Sequence, residues 1–563
     1  MDVASIRLPR RTCVSVIVAW LVAAAPVLLS WAAPASMTDV EMAIRGFLAQ
    51  DVAPDAAHLA LASNWDMLRR FYAGRGYVPA WTQGGRPSHQ AQEAVALLEH
   101  APQKGLVSAD YDTARLEHRI RILGTSSAPS AEDLAAFDIR LTLAVFRFAS
   151  HLVHGRIGPR TTQPDLENSQ RRFDVAALIQ RGLEADRLTA EVESVEPRFP
   201  LYAALKTSLA EYRRLAADPS VPVVPVPARR VEPGDAFAGL PQLKRRLAAL
   251  GDLDANGLAR RGGTRYEGEV VRAVKRFQYR HGLLEDGVLG AATVAELNRP
   301  LAERVRQIEI GIERTRWLPP LPPARFVVIN IPAFELLGYD SAIGGGRATL
   351  ESKVIVGRAG KTPTPTLVAQ MEELEFSPYW NVPRTIAVKE LLPKLKNDPS
   401  YLSREGMELV GNGIRKEVDS VALADLERGA VRLRQRPGAK NALGGVKFVL
   451  PNRHDVYLHS TPLQQLFGRI RRDFSHGCIR VADPVALAQF VLADRPNWAP
   501  DRIRDSMRRT QPLWVPVKPP LPVLIVYATA VVDAEGRTRF LPDIYDQDTS
   551  LMRTFAAASP SSL

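Results

Sequence analysis

The chain has 563 residues, 46% of them hydrophobic and 24% charged, which excludes a sequence too polar to fold and predicts a globular protein of about four domains. Its formal net charge of +12 favours anionic partners, among them nucleic acid, acidic lipid and cell-wall peptides with free carboxylates, without choosing between them. After the first 35 residues no apolar run reaches bilayer-spanning length.

The N-terminus reads MDVASIRLPRRTCVSVIVAWLVAAAPVLLSWAAPAS. A basic start, an apolar run from Val14 to Trp31 and small residues at Ala33 and Ala35 form a secretory signal pattern, so 1–35 is expected to be a signal peptide. Pro26 interrupts the run, which favours cleavage over retention as an anchor. Removal would leave an exported chain of net charge +10. Cys13 falls inside that segment, leaving Cys478 as the single thiol of the exported protein. An unpaired thiol in an oxidising compartment points to reactivity. The bland alternative is a buried, inert cysteine packed as a small hydrophobe.

Residues 36–217 are expected to form a helical scaffold. HQAQEAVALLEHA and AAFDIRLTLAVFRFASHLVHGRI carry apolar residues at spacings of three and four, and the aromatics of FYAGRGYVPAW anchor the packing between helices. His151 and His154 stand three apart on one helix, but no acid completes H-E-x-x-H, so they are assigned a structural role and no metal site is expected. The Pro-rich stretch 218–235 is expected to be a semi-rigid linker. In 236–300, Leu240, Leu243, Leu247 and Leu250 make one helical stripe and Val270, Val274 and Phe277 another; AATVAELN makes a third helix. A helical connector is expected over 301–324.

From Arg325 the period falls to two. RFVVINIPAFELLGYD and ESKVIVGRAG are expected strands joined through IGGGRA. GRAGKT departs from a phosphate loop, because Ile355 stands where glycine is needed and Pro363 and Pro365 follow where a helix should begin. A helical, charged insertion is expected over 385–436 within a mostly-β domain of 325–505. C-terminal strands are expected over 506–548, packing on the scaffold and on this mostly-β domain, and a tail over 549–563. The fold class is multidomain α+β.

The chemistry gathers in two short stretches. VKFVL and VYLHS read as a hairpin across PNRHD, with Tyr457 and His459 on one face and Val456 and Leu458 on the other. In SHGCIRVADP, Gly477 permits a tight backbone approach, CIRV starts a strand, and Asp483 and Pro484 suit the N-cap and first position of a helix. Cys478 therefore sits at a loop–strand junction. A neighbouring imidazole is the usual means of turning a thiol into a thiolate near neutral pH. His459, held by a backbone carbonyl such as that of Ser460, is preferred as that base over adjacent His476, whose side chain points the other way along an extended backbone. The N–H groups of Gly477 and Cys478 are candidate oxyanion donors.

His459, a gap of fifteen residues, then Ser475-His476-Gly477-Cys478 with Arg480 resembles the signature of the L,D-transpeptidase catalytic domain. YWNVP, RQRPGAKNALGGVKFVLPN and DIYDQD are similar to stretches of its large Gram-negative periplasmic members, and residues 236–300 resemble the small three-helix peptidoglycan-binding domain. The resemblance implies Cys478 as nucleophile and His459 as general base and acid. It implies Ser460 as the orienting carbonyl, His476 and Gly477 as the oxyanion pocket, Tyr457 in support, and Arg480 as a brace or a partner for a substrate carboxylate. It also implies 3→3 cross-linking of peptidoglycan stem peptides through a cysteine thioester with release of D-alanine, acylation by carbapenems and no cofactor, with peptidoglycan stem peptides and glycan, and other cell-wall synthesis proteins, as partners in the periplasm; nucleic acid is not expected as a partner, and a monomer is expected. A hydrolase on the same scaffold and a catalytically silent wall-binding scaffold remain open. A papain-like peptidase is disfavoured, since no suitable Asn follows the histidine and the histidine precedes the cysteine.

Overall fold

The computed structural model describes residues 35–49, 62–159, 163–169, 173–259, 264–320, 322, 324–341, 347–412 and 414–558. The expected signal peptide and most of the IGGGRA turn lie outside the described residues.

The N-terminal half is helical. Its central element is α1 (Ala131–His154), capped by Ser130, whose hydroxyl accepts the Asp133 N–H at 3.0 Å. Apolar on nearly every side, α1 is wrapped by shorter helices, as a helix without a polar face must be. Asp138 on α1 is buried and fully engaged: it accepts from Tyr72 Oη at 2.6 Å and from the Ala80 and Trp81 N–H groups at 2.8 Å each. That tie gives the FYAGRGYVPAW stretch its fixed place. His151 donates to or accepts from the Tyr111 hydroxyl at 2.9 Å, and burial holds it well below the usual imidazole range.

α2 (Pro200–Ala217) leaves this half and packs on α3 (Leu301–Arg316), the expected connector. Between them in sequence, the Pro-rich segment is extended but docked. Val224 is buried and exchanges two hydrogen bonds with the Asn298 side chain, at 2.8 and 2.7 Å. The small unit that follows has helices Leu240–Ala249, Glu269–Arg280 and Ala291–Leu297, and a further short helix, Ala255–Ala259, that the apolar spacing did not announce. Its core is shared with Tyr202, Tyr212 and Phe540, so it is fastened to α2 and to a C-terminal hairpin of Ala530–Val532 and Thr538–Phe540.

The C-terminal half is built on one sheet of nine strands: β1 (Phe326–Asn330), β2 (Glu335–Tyr339), β3 (Leu350–Gly357), β4 (Leu367–Phe376), β5 (Val446–Val449), β6 (Leu458–His459), β7 (Asp473–Ser475), β8 (Ile479–Val481) and β9 (Leu513–Val526). The order is β7-β3-β8-β6-β5-β4-β9-β1-β2, and a further pairing of β2 with β3 closes it into a ring. Closure pairs both edges of the eight strands in the ring, while β7 hangs on β3 alone. Alternation sends Val327, Leu374, Phe376, Val446, Phe448, Leu458, Ile479 and Val481 into the enclosed core. β9 lies between β4 and β1, so the sheet continues beyond residue 505, the expected end of the domain. Val515 and Val523 fill the same core as the earlier strands, which is why the domain cannot stop short of them. α4 (Pro484–Val491) starts at Asp483, whose carboxylate accepts the Ala486 N–H at 2.9 Å.

Two elements differ from expectation. The insertion is not wholly helical: its helices between Arg384 and Asn397 and over Ser420–Arg428 pack on a four-stranded sheet formed by Trp380–Asn381, Arg432–Gln435, Met407–Gly411 and Ile414–Lys416. Those strands gain a private core of Leu391, Leu395, Leu409, Leu426 and Leu433. The expected tail is helical from Gln547 to Ala558 (α5), because Asp543 caps it and Leu551, fully buried, packs beside Trp317 and Ile310.

Candidate active site

The parallel pairing of β6 with β8 sets Leu458 opposite Ile479 and His459 opposite Arg480. Leu458 and Ile479 face the core, so alternation turns Tyr457, His459, Cys478 and Arg480 to the outer face of the sheet. Cys478 and His459 are thereby diagonal neighbours on one face, with Cβ atoms roughly 7 Å apart in such an arrangement. The same row continues through the register of neighbouring strands: His459 opposite Lys447, Lys447 opposite Glu375, and Glu375 opposite Trp514, a residue 56% exposed. The outer face thus carries a line of indole, carboxylate, ammonium, imidazole and guanidinium beside the thiol.

His459 is only 5% exposed. Its Nδ1–H donates to the Ser460 carbonyl at 2.6 Å, which leaves Nε2 as the accepting nitrogen. Ser460 is fixed in turn, its hydroxyl donating to Leu443 O at 3.0 Å and accepting from Val446 N–H at 3.1 Å. Gly444 makes that approach possible, since a Cβ there would stand 2.2 Å from Ser460 Oγ and its φ is +62°. Burial, then the charge of Arg480, pushes His459 down to about 3, against the opposite pull of the Ser460 and Leu443 carbonyls.

Cys478 is partly buried, and its Sγ–H donates to the Asp455 carbonyl at 3.7 Å rather than to the imidazole. The Tyr457 hydroxyl also reaches the sulfur. Burial pushes the thiol up, opposed by Tyr457, Lys447 and Arg480. Thiol and imidazole therefore rest neutral, with no standing ion pair. Arg480 has a buried Nε with no protein partner among the described residues, and burial lowers its affinity for its proton. A cation in that condition gains most from an incoming anion. Lys447 stands 3.8 Å from Glu375 and 4.5 Å from the centre of the Tyr457 ring.

The loop before the thiol is pinned from behind. Gly477 has φ +115°, and a Cβ there would meet nothing within 4 Å, so its front opens to the site. Its N–H donates to Ser475 Oγ at 3.2 Å. The Cys478 N–H has no acceptor among the described residues. His476 turns away from the thiol, its Nε2 lying 2.7 Å from Glu390 Oε1 of the insertion. Glu390, Lys447, Glu375, Asp455 and Thr364 were not singled out in the sequence. Only the TPTPT run around Thr364 is unusual enough to draw attention.

A thiol, an imidazole held in one tautomer, and a free backbone donor on one open face make up the parts of a thiol-dependent acyl-transfer centre. Comparison with known proteins narrows that class. Residues 324–515 match the family model of the L,D-transpeptidase catalytic domain. Residues 66–209 match a scaffold domain, and 238–297 match the "Putative peptidoglycan binding domain". The chain thus carries an L,D-transpeptidase catalytic domain over residues 324–515. It is 32% identical over 250 residues to the "Putative L,D-transpeptidase" of Haemophilus influenzae, an alignment covering 44% of this chain and 49% of that protein. The chain spans about half the length of the curated relative it matches. Among the described residues no helix is long and apolar enough to cross a membrane.

Proposed function

We propose that the protein is a periplasmic L,D-transpeptidase that cuts the bond after the third residue of a peptidoglycan stem peptide and joins the freed carbonyl to a second stem. The observation that carries this is the shared outer face of Cys478 and His459, with the His459 tautomer fixed by Ser460. A change of rotamer at Cys478 turns Sγ from Asp455 towards Nε2. As sulfur attacks the carbonyl at the L-centre of the third residue, the thiol proton passes to Nε2, and the carbonyl electrons move onto oxygen. Collapse expels terminal D-alanine, which takes the proton from His459 and leaves a thioester on Cys478. The side-chain amine of a second stem then attacks the thioester, with His459 again accepting the proton, to give a 3→3 cross-link. No cofactor enters these steps.

The charged row supports this substrate class. Lys447, Arg480 and Glu375 offer partners for the carboxylates and the amine that a diamino-acid stem carries. The insertion, reaching Glu390 to His476 beside the thiol, is suited to cover the thioester and exclude water, which favours transfer over hydrolysis. The small helical unit on α2 would hold glycan near the site.

The test is incubation of the purified protein with disaccharide tetrapeptides, followed by product separation and mass analysis. Cross-linked 3→3 dimers and free D-alanine, both absent with Cys478→Ser, support transfer. Tripeptide monomers without dimers would replace it by the hydrolase alternative.

A further inference from the structure

Thr364 lies on no strand, is 1% exposed, and spends its one hydroxyl on two backbone groups. It accepts the Gly357 N–H at 2.8 Å and donates to the Gly477 carbonyl at 2.7 Å. A carbonyl cannot donate and an amide N–H cannot accept, so the direction of both bonds is settled. The peptide that owns this carbonyl is the one joining Gly477 to Cys478. In a planar trans peptide the C=O and N–H point to opposite sides. Anchoring Gly477 O inward on Thr364 therefore turns the Cys478 N–H outward, to the side where Gly477 lies open and where that N–H has no acceptor among the described residues.

The anchor is itself held. Tyr545 Oη donates to Gly357 O at 2.6 Å and accepts the Thr364 N–H at 3.2 Å, tying both ends of the 357–364 turn. Only glycine fits at 357, since a Cβ there would stand 2.0 Å from Thr362 O. Thr362 Oγ1 and Arg358 N–H add bonds to the Ser475 carbonyl at 2.9 and 3.0 Å. Tyr545 is set by its N–H to Tyr527 Oη at 2.8 Å, and Tyr527 donates to Asp543 at 2.6 Å. Asp543 caps α5, whose Asp548 pairs with Arg314 of α3. The C-terminal segment, beyond the residues that match the catalytic domain, thus reaches the peptide next to the nucleophile.

We infer that Thr364, braced by Tyr545, is a positioning residue that fixes the Gly477–Cys478 peptide with its N–H aimed at the oxyanion formed when Cys478 attacks a carbonyl. This rests on the acyl-transfer function proposed above. It gives the DIYDQD motif a part in the reaction, with Tyr545 acting through Thr364 and never touching substrate.

Two reagents separate this role from a merely structural one. Acylation of Cys478 by meropenem passes through an oxyanion; alkylation by iodoacetamide attacks a saturated carbon and forms none. Thr364→Val keeps the shape and loses the hydroxyl. It is expected to slow acylation by roughly 100-fold, the usual effect of losing one oxyanion donor, while the alkylation rate stays near wild type. Thr364→Ser restores the hydroxyl and is expected to recover most of the acylation rate, and Tyr545→Phe is expected to fall between the two. Acylation of Thr364→Val at the wild-type rate would overturn the inference, as would a parallel fall of acylation and alkylation. Wild-type protein that alkylates but is never acylated would sink the proposed function, and this role with it.

Discussion

Because burial pushes the Cys478 thiol up and His459 down to about 3, the site predicts an unusual pH dependence for thiol reactivity. With the thiol above its ordinary value of about 9, the thiolate fraction at pH 7 is below about 1%. A cysteine–imidazolium ion pair with a strongly depressed thiol would instead be almost wholly thiolate there, so the two cases differ by roughly 100-fold at neutral pH. The perturbation is a change of pH from about 5 to 10, and the assay is pseudo-first-order alkylation of Cys478 by iodoacetamide followed by intact mass. The expected rate climbs about tenfold per pH unit through neutrality and levels only above about pH 9. His459→Asn is expected to leave that profile in place while acylation falls by roughly 100-fold or more, because the imidazole is needed as a base during attack and not to store a charge. A flat rate between about pH 6 and 8 that His459→Asn abolishes would refute this reasoning by revealing a resting ion pair.

Two further outcomes follow from the same geometry. His459 is held down at about 3, below its ordinary value of 6.5, so the unfolded chain takes the proton first as pH falls, and the stability this group protects at pH 7 is lost on the way down to pH 3. Between about pH 7 and 4 that loss is roughly 3 kcal/mol for the catalytic domain, and His459→Asn is expected to show a correspondingly shallower acid dependence in urea unfolding; an unchanged slope would contradict it. Glu390→Ala removes a half-exposed contact with His476 and is expected to change stability by less than about 1 kcal/mol, yet to raise the ratio of hydrolysed to cross-linked product. An unchanged ratio would detach the insertion from water exclusion.

What could be read from the sequence was local. Period-two alternation placed Tyr457 and His459 opposite Val456 and Leu458, and the Asp483-Pro484 pair marked the start of α4. The Ser460 carbonyl, offered as the group that holds His459, is the acceptor of its Nδ1–H. What could not be read depends on distant chain segments meeting. Thr364 lies 113 residues from Gly477, and Tyr545 lies 188 from Gly357, with nothing in their local pattern to show the contact. Glu390 reaches His476 across 86 residues. The strands of the insertion are short and flanked by charged helices, so helical spacing dominated the stretch, and Met407–Gly411 became legible only once its partners Arg432–Gln435 were in place. The helix at the C-terminus rests on Leu551 filling a site beside Trp317, a packing term that composition does not carry.

The most direct test of the account is intact-mass analysis of the protein mixed with a tetrapeptide stem in the absence of any acceptor. An adduct on Cys478 equal to the donor less one alanine is expected, released by added stem amine and missing from both Cys478→Ser and His459→Asn. Free D-alanine formed by wild-type protein with no such adduct, or an adduct that survives loss of His459 at the wild-type rate, would contradict it.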